Sequence, residues 1–318
     1  NLYLAWISNF SCAPDSFLLH YVRWLMGHKP YLVLEIDSHT ADAGLDTRVE
    51  AFLDIVESYR RHVKPVAVKP FRRRYRIALK KEFCDVVDGK TGKRLDIRDE
   101  RVHLIFPSMG DLSTEGMHAA SRRAGIHSTH LPLPDVYSTQ LARNVASGKE
   151  CIPALLVLGS ILQFFRDKNP CSGEELYLVI LPSTLGPCRT GQYHVFFDRL
   201  FEELGWENVV LLVANSENSY RELGPTFSRD LWRAVVLGDY FADVRTALRL
   251  LARDPADALT LFASVWEDVL CGVRAGPREL YREIRRAADR LGRVPRTGNL
   301  DDVRKVFVIG EIYVRRDN

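Results

Sequence analysis

Three cysteines share a setting that suits sulfur chemistry: Cys12 in "SNFSCAPDSF", Cys151 in "GKECIPALL" and Cys188 in "LGPCRTGQY". Each has a proline beside it or two places away, and each immediately precedes a segment of helical character. A thiol at a helix N-terminus feels the positive end of the helix dipole, which favours the thiolate. Lys149 and Arg189 add positive charge beside two of the three. Thiolates placed this way suit metal or cluster ligation, because free backbone N–H groups can also donate to sulfur. The separations of 139 and 37 residues match no compact ligand pattern, so on spacing alone three structural cysteines remain an equal reading. Cys84, Cys171 and Cys271 lack these surroundings and read as incidental small residues.

Other chemistries for Cys188 fit less well. A phosphatase-type loop needs Arg six residues after the cysteine, and that position is His194. Nine histidines offer no pattern from which to choose a papain-like partner. There is no C-x-x-C pair, no G-x-x-x-x-G-K-[ST] and no G-x-G-x-x-G, so the sequence carries no zinc-ribbon, ATP or dinucleotide fingerprint.

The elements that must position these thiols are those of an α/β protein. Apolar runs predict strands over Tyr31–Ile36, Val102–Phe106, Ser128–Leu131, Tyr177–Leu181, Val209–Val213 and Val306–Ile309. Helical patterns lie between them at Thr47–Arg61, Thr114–Ala124, Pro153–Phe165 and Tyr193–Leu204. This rhythm means βαβ units, hence Rossmann-like domains with mostly parallel sheets. A helical stretch follows from Thr226 to about Leu291, broken at "RDPADAL" and at "RAGPREL".

The resulting division is a first α/β domain over residues 1–64, a charged linker or hairpin over 65–100, and a second Rossmann-like domain over 101–225. A helical segment over 226–300 and the start of a further α/β domain over 301–318 complete it, with both ends reading as cut from something longer. "VVDGKTGKRL" carries the turn signals of a hairpin. The basic run "KPFRRRYRIALKK" could meet phosphate, but a solvated edge strand and linker is the favoured reading.

Composition sets outer bounds. Apolar residues make up 46% and charged residues 27%, the balance of a globular chain. A net charge of +3 gives no argument for a nucleic-acid partner. "IPALLVLGSILQFF" is too short to span a bilayer, and no signal peptide opens the chain. Six scattered cysteines predict reduced thiols and a cytoplasmic setting.

Taken together, "NFSCAPDSF", "EIDSHTADAGLDTRVEAFLDIV", "MGDLSTEGMHAA", "GKECIPALLVLGS", "GPCRTGQYHVF", "NSENSY" and "KVFVIGEIYVRRDN" resemble one group in the same order. It is the 2-hydroxyacyl-CoA dehydratase and benzoyl-CoA reductase group of iron–sulfur proteins. The nearest likeness is to the C-terminal region of fused CoA-substrate-specific enzyme activases, the acyl-CoA dehydratase activase-related proteins, over nearly the whole chain. The resemblance implies that Cys12, Cys151 and Cys188 hold a [4Fe–4S] cluster with one iron left open, or that the cluster is a double-cubane variant with further ligands upstream. It implies an ATP-dependent activase as electron donor, with its ATP site outside this chain, a CoA thioester or small substrate as acceptor, and a dimer. The alternatives are a non-catalytic electron-relay or interaction module of a larger reductase, and a plain α/β ligand-binding domain with structural cysteines.

Within that reading, Gly186 and Gly191 let backbone approach the cluster. Glu150 and Glu217 are the acid/base or cluster-contacting candidates, with a solvated charge as the plainer account of Glu150, and Asn218 shares the loop of Glu217. Asp37, His39 and Asp42 either line the site or cap the helix beginning near Leu45.

Overall fold

The computed structural model describes residues 2–9, 15–37, 40–62, 74–80, 83–108, 110–166, 168, 175–186, 188–215, 220, 223–306, 308–310 and 313. Strands β6 (Val102–Phe106), β7 (Ser128–His130), β8 (Leu176–Ser183) and β9 (Val209–Asn215) form one sheet in the order β7-β6-β8-β9, and all its pairings are parallel. A parallel sheet is covered on both faces, so its strands read as nearly continuous apolar runs. Successive side chains then sort by parity. Leu104, Leu178, Val210 and Leu212 enter one core, whereas Ile105, Val179, Val209 and Leu211 enter the other.

The first core lies under helices α3 (Asp111–Arg123), α7 (Pro225–Leu251), α8 (Pro255–Ala275) and α9 (Pro277–Gly292). Helices α3 and α7 meet closely: a Cβ on Gly238 would fall 2.5 Å from the Ser113 backbone. The two expected helix breaks are where they should be, each with proline opening the next helix. The second core lies under α1 (Asp15–Met26), α4 (Val136–Arg143), α5 (Ile152–Phe165) and α6 (Thr190–Glu203). The result is a three-layer, Rossmann-like α/β fold. No described helix is long and apolar enough to cross a membrane.

Two smaller sheets complete the structure. Strands β1 (Leu4–Ser8) and β2 (Tyr31–Glu35) pair in parallel, with α1 between them and α2 (Asp42–His62) after them. Strands β3 (Tyr75–Leu79), β4 (Cys84–Asp88) and β5 (Arg94–Asp96) form an antiparallel sheet with β4 in the middle.

The expected edge strand is β3, at the rim of this sheet, but the segment is not a solvated linker. The hairpin is present, but every residue of β4 is buried, and Cys84, Val86 and Ile97 join the first core. Its charges are paired across strands instead of being left to water. Lys80 meets Asp85, Arg94 lies 3.0 Å from Asp85, and Lys80 lies 2.7 Å from Asp96. A further correction concerns Val306–Ile309, whose described residues form no strand: Val306 is 84% and Ile309 74% exposed. Nearby, the buried Tyr313 donates a 2.7 Å hydrogen bond to the Ser108 carbonyl beyond β6.

Candidate functional site

At the carboxyl edge of the main sheet, β8 runs through Thr184 and Gly186 to Cys188, and α6 begins at Thr190. The turn is tight. A Cβ on Gly191 would fall 2.3 Å from the Thr184 carbonyl oxygen, so only glycine fits there. Gly186 is different, because an added Cβ would meet only the Thr184 hydroxyl, at an ordinary 3.5 Å. The close approach at Gly191 is therefore made by the chain itself, and Gly186 has no steric requirement of that kind.

Cys151 is the N-cap of α5, and its side chain caps nothing in the helix. Its sulfur instead lies 2.8 Å from the Tyr193 hydroxyl, in the first turn of α6. That hydroxyl also bonds Thr190, and the Thr190 Oγ1 lies 3.1 Å from the Cys188 sulfur. A chain of hydrogen bonds thus joins Cys151, Tyr193, Thr190 and Cys188. Burial, followed by the bond to Cys151, pushes the Tyr193 hydroxyl well above its ordinary 10. It stays protonated at neutral pH and is the donor toward any Cys151 thiolate.

The start of α1 reaches the same place. Phe17 stacks on Tyr193 with ring centroids 5.5 Å apart, and Arg189 donates to the Ser16 hydroxyl at 3.3 Å. The N-termini of α1, α5 and α6, the helices that follow the three cysteine segments, therefore meet around one tyrosine. Cys12 itself lies outside the described residues. Its flanks do not: the Ser8 hydroxyl donates to Asp15 at 2.7 Å.

Glu150 is not a solvated charge. Its side chain is fully buried, and it accepts from the Ser147 N–H and hydroxyl at 3.1 and 2.9 Å, from the backbone N–H groups of Gly148 and Lys149, and from His20 on α1. Burial alone would raise its pKa, but the donors, His20 foremost, hold it down at about 2. A carboxylate so occupied is a poor proton acceptor and a firm tie between α1 and the start of α5. The next residue back makes a second tie, because Lys149 pairs with Glu35 at the end of β2.

Beside that pair, a cleft of about 360 Å³ is lined by Glu35, Asp37, Thr40, Gly44 and Arg48. Asp37 and Thr40 close a local turn, with the Asp37 N–H donating to the Thr40 hydroxyl at 2.8 Å. Asp42 sits in the first turn of α2, where a carboxylate favours the helix dipole. Helix α2 thus begins three residues before the expected Leu45, with Asp42 inside its first turn, and Asp37 lines the cleft. His39, Glu217, Asn218 and Cys171 lie outside the described residues. Cys84 is a core side chain, and Cys271 is exposed on α8 with Arg274 at 3.0 Å from its sulfur.

Tyr193, Thr190 and His20 were not singled out from sequence. Tyr193 stands three residues after Thr190 in a helix beginning just past a cysteine, a spacing that brings both side chains to one face. No group of three or more His, Cys, Asp or Glu side chains able to hold a metal ion is found among the described residues. No family model, no curated protein and no solved structure matches the chain.

Proposed function

We propose that this chain is the cluster-bearing part of an ATP-driven redox system of the 2-hydroxyacyl-CoA dehydratase type, working in the cytoplasm. In this reading Cys151 and Cys188, with Cys12, hold a [4Fe–4S] cluster, and an activase supplies its electrons. The observation that supports it is the meeting of two thiols and three helix starts around Tyr193. The donor set suits a cluster: soft thiolates, hydrogen-bond donors aimed at the sulfurs, and helix N-termini to offset negative charge. Neither Cys151 nor Cys188 is held in a disulfide, as ligands or reduced thiols require.

When bound, the cluster would supply a single low-potential electron to a CoA thioester or small acceptor. The chain's own residues do the rest. Tyr193 donates to the Cys151 sulfur, which stabilises thiolate there, and the Thr190 hydroxyl lies 3.1 Å from the Cys188 sulfur. Glu150 and Arg189 fix α1 against the starts of α5 and α6. Phe17, Phe196 and Phe197 form an aromatic wall beside Tyr193 that limits water.

The test is iron and acid-labile sulfide content after anaerobic reconstitution, with an EPR spectrum of the dithionite-reduced protein. About four irons per chain are expected, with the signal lost in both Cys151→Ala and Cys188→Ala. Tyr193→Phe should keep the iron and shift the midpoint potential. Iron content that ignores both cysteine substitutions would sink the proposal.

A further inference from the structure

Helices α8 and α9 pack as a hairpin, and the groove along one side of it is a cleft of about 560 Å³. Small side chains, Gly272, Ala275 and Ala287, leave its floor open. Gly272 is the tightest point, because a Cβ there would fall 3.0 Å from the Leu280 Cα and 3.3 Å from the Glu283 Cγ. Glycine therefore lets α9 approach until Glu283 sits against α8.

Glu283 is only 9% exposed. Its Oε1 accepts from Arg286 at 2.8 Å, and the Arg282 Nε lies 3.5 Å from the same atom. No hydrogen bond from a described residue reaches its other oxygen, Oε2. A carboxylate oxygen drawn this far out of water without a donor costs free energy. A cationic N–H donor entering the cleft removes that cost.

The remaining charges say what else the ligand carries. Four carboxylates and three guanidiniums line the cleft, so a polyanion or a polycation meets repulsion in it. Most are already committed. Arg286 is held by Glu283, Glu279 pairs with Arg282, and Arg290 reaches Asp268 across the groove at 2.6 Å. Asp289 and Arg293 have no ion pair among the described residues. Arg293 thus offers a free guanidinium at the end of the cleft away from the α8–α9 turn, while Asp289 one turn earlier opposes a second anion there.

The ligand then has an ammonium at one end and a single carboxylate at the other. Glu283 and Arg293 are ten residues apart on α9, a rise of about 15 Å. An extended tripeptide spans about 10 Å, and a contact of about 3 Å at each end makes up the difference. A single amino acid reaches one of the two groups but not both.

We propose that the α8–α9 cleft binds short peptides with free termini, the ammonium on Glu283 and the carboxylate on Arg293. The peptide backbone lies along Gly272 and Ala287. The site uses none of the residues around Tyr193 and stands independently of the redox role.

Cys271 lines the cleft and is exposed, so its alkylation reports occupancy, and the exposed Cys188 serves as internal control. The 318-residue chain is treated with a neutral maleimide in the presence of trialanine, and peptide mapping gives the rate at each thiol. Trialanine should slow Cys271 and leave Cys188 unchanged, with half-protection at on the order of 1 mM or below. Trialanine amide and N-acetyl-trialanine should each need about fivefold more. Arg293→Gln should weaken trialanine by a similar factor and leave the amide unaffected. Glu283→Gln should do the same for trialanine and leave the acetylated peptide unaffected. Arg293 is exposed, so its variant keeps the test valid if the buried change harms folding, which circular dichroism checks. No protection of Cys271 at about 10 mM, equal slowing of Cys188, equal protection by the capped peptides, or an Arg293→Gln loss shared by the amide would overturn the proposal.

Discussion

Glu150 is a fully buried carboxylate whose ionised form is held by His20, Ser147 and two backbone N–H groups. Its pKa falls from the ordinary 4.5 to about 2, so the unfolded chain binds the proton more readily than the folded one. Its contribution is fully present above about pH 4.5 and is lost as the pH falls toward 2. That shift corresponds to roughly 3 kcal/mol at neutral pH. Glu150→Gln sets an amide where the surrounding groups all donate. Urea unfolding at pH 7 should show a loss of about 2–3 kcal/mol, and the variant's stability should vary less with pH than the parent's between about 4.5 and 2. A carboxylate whose role was only to contact a ligand would leave both unmoved.

At the scale of elements, the turn from β8 into α6 is the most constrained piece of the site. Gly191 lies against the Thr184 carbonyl, which cannot swing aside as a flexible side chain would. Gly191→Ala should cost about 1–3 kcal/mol in denaturant unfolding, whereas Gly186→Ala, with only an ordinary contact, should stay within about 0.5 kcal/mol of the parent once its loop conformation is allowed for. This turn was legible in the sequence because an apolar run closed on Gly-Pro-Cys and then took up helical spacing. The helix starts at Cys151 and Pro255 were legible for the same local reason: proline marks the first turn. Strand β1 escaped because "LAWIS" is short and pairs only with β2, in a sheet of intermediate burial. The hairpin and the edge strand of the β3–β5 sheet were legible, but the burial of β4 was not, because charge density cannot distinguish solvated side chains from ones paired with partners on the next strand.

Over the whole molecule, the main sheet announced itself through runs such as "LYLVIL" and "VVLLV", which only a strand buried on both faces can carry. Candidate site residues were legible one at a time, as thiols before helices. What joins them was not, because Tyr193 touches Cys151 from 42 positions away, and Arg189 touches Ser16 from 173. Such contacts follow from how α1 and α6 pack, and no local pattern encodes that.

Among the described residues, the ties between the first 62 residues and the rest include Ser16 to Arg189, His20 to Glu150, Glu35 to Lys149, Arg199 over Trp24, and rings, Phe17 among them. Among the described residues, helix α2 buries no side chain, and β1 and β2 have only each other as hydrogen-bonded neighbours. Such a piece opens as a unit far more often than the main sheet unfolds. Amide hydrogen exchange should therefore release β1, β2 and α1 together, well ahead of β6, β8 and β9. The thiols sit on the hinge line of that opening. Bulky alkylating reagents should modify Cys151 at the pace of the N-terminal amides, while exposed Cys188 reacts at once. The seam that gathers the sulfur atoms also acts as their valve.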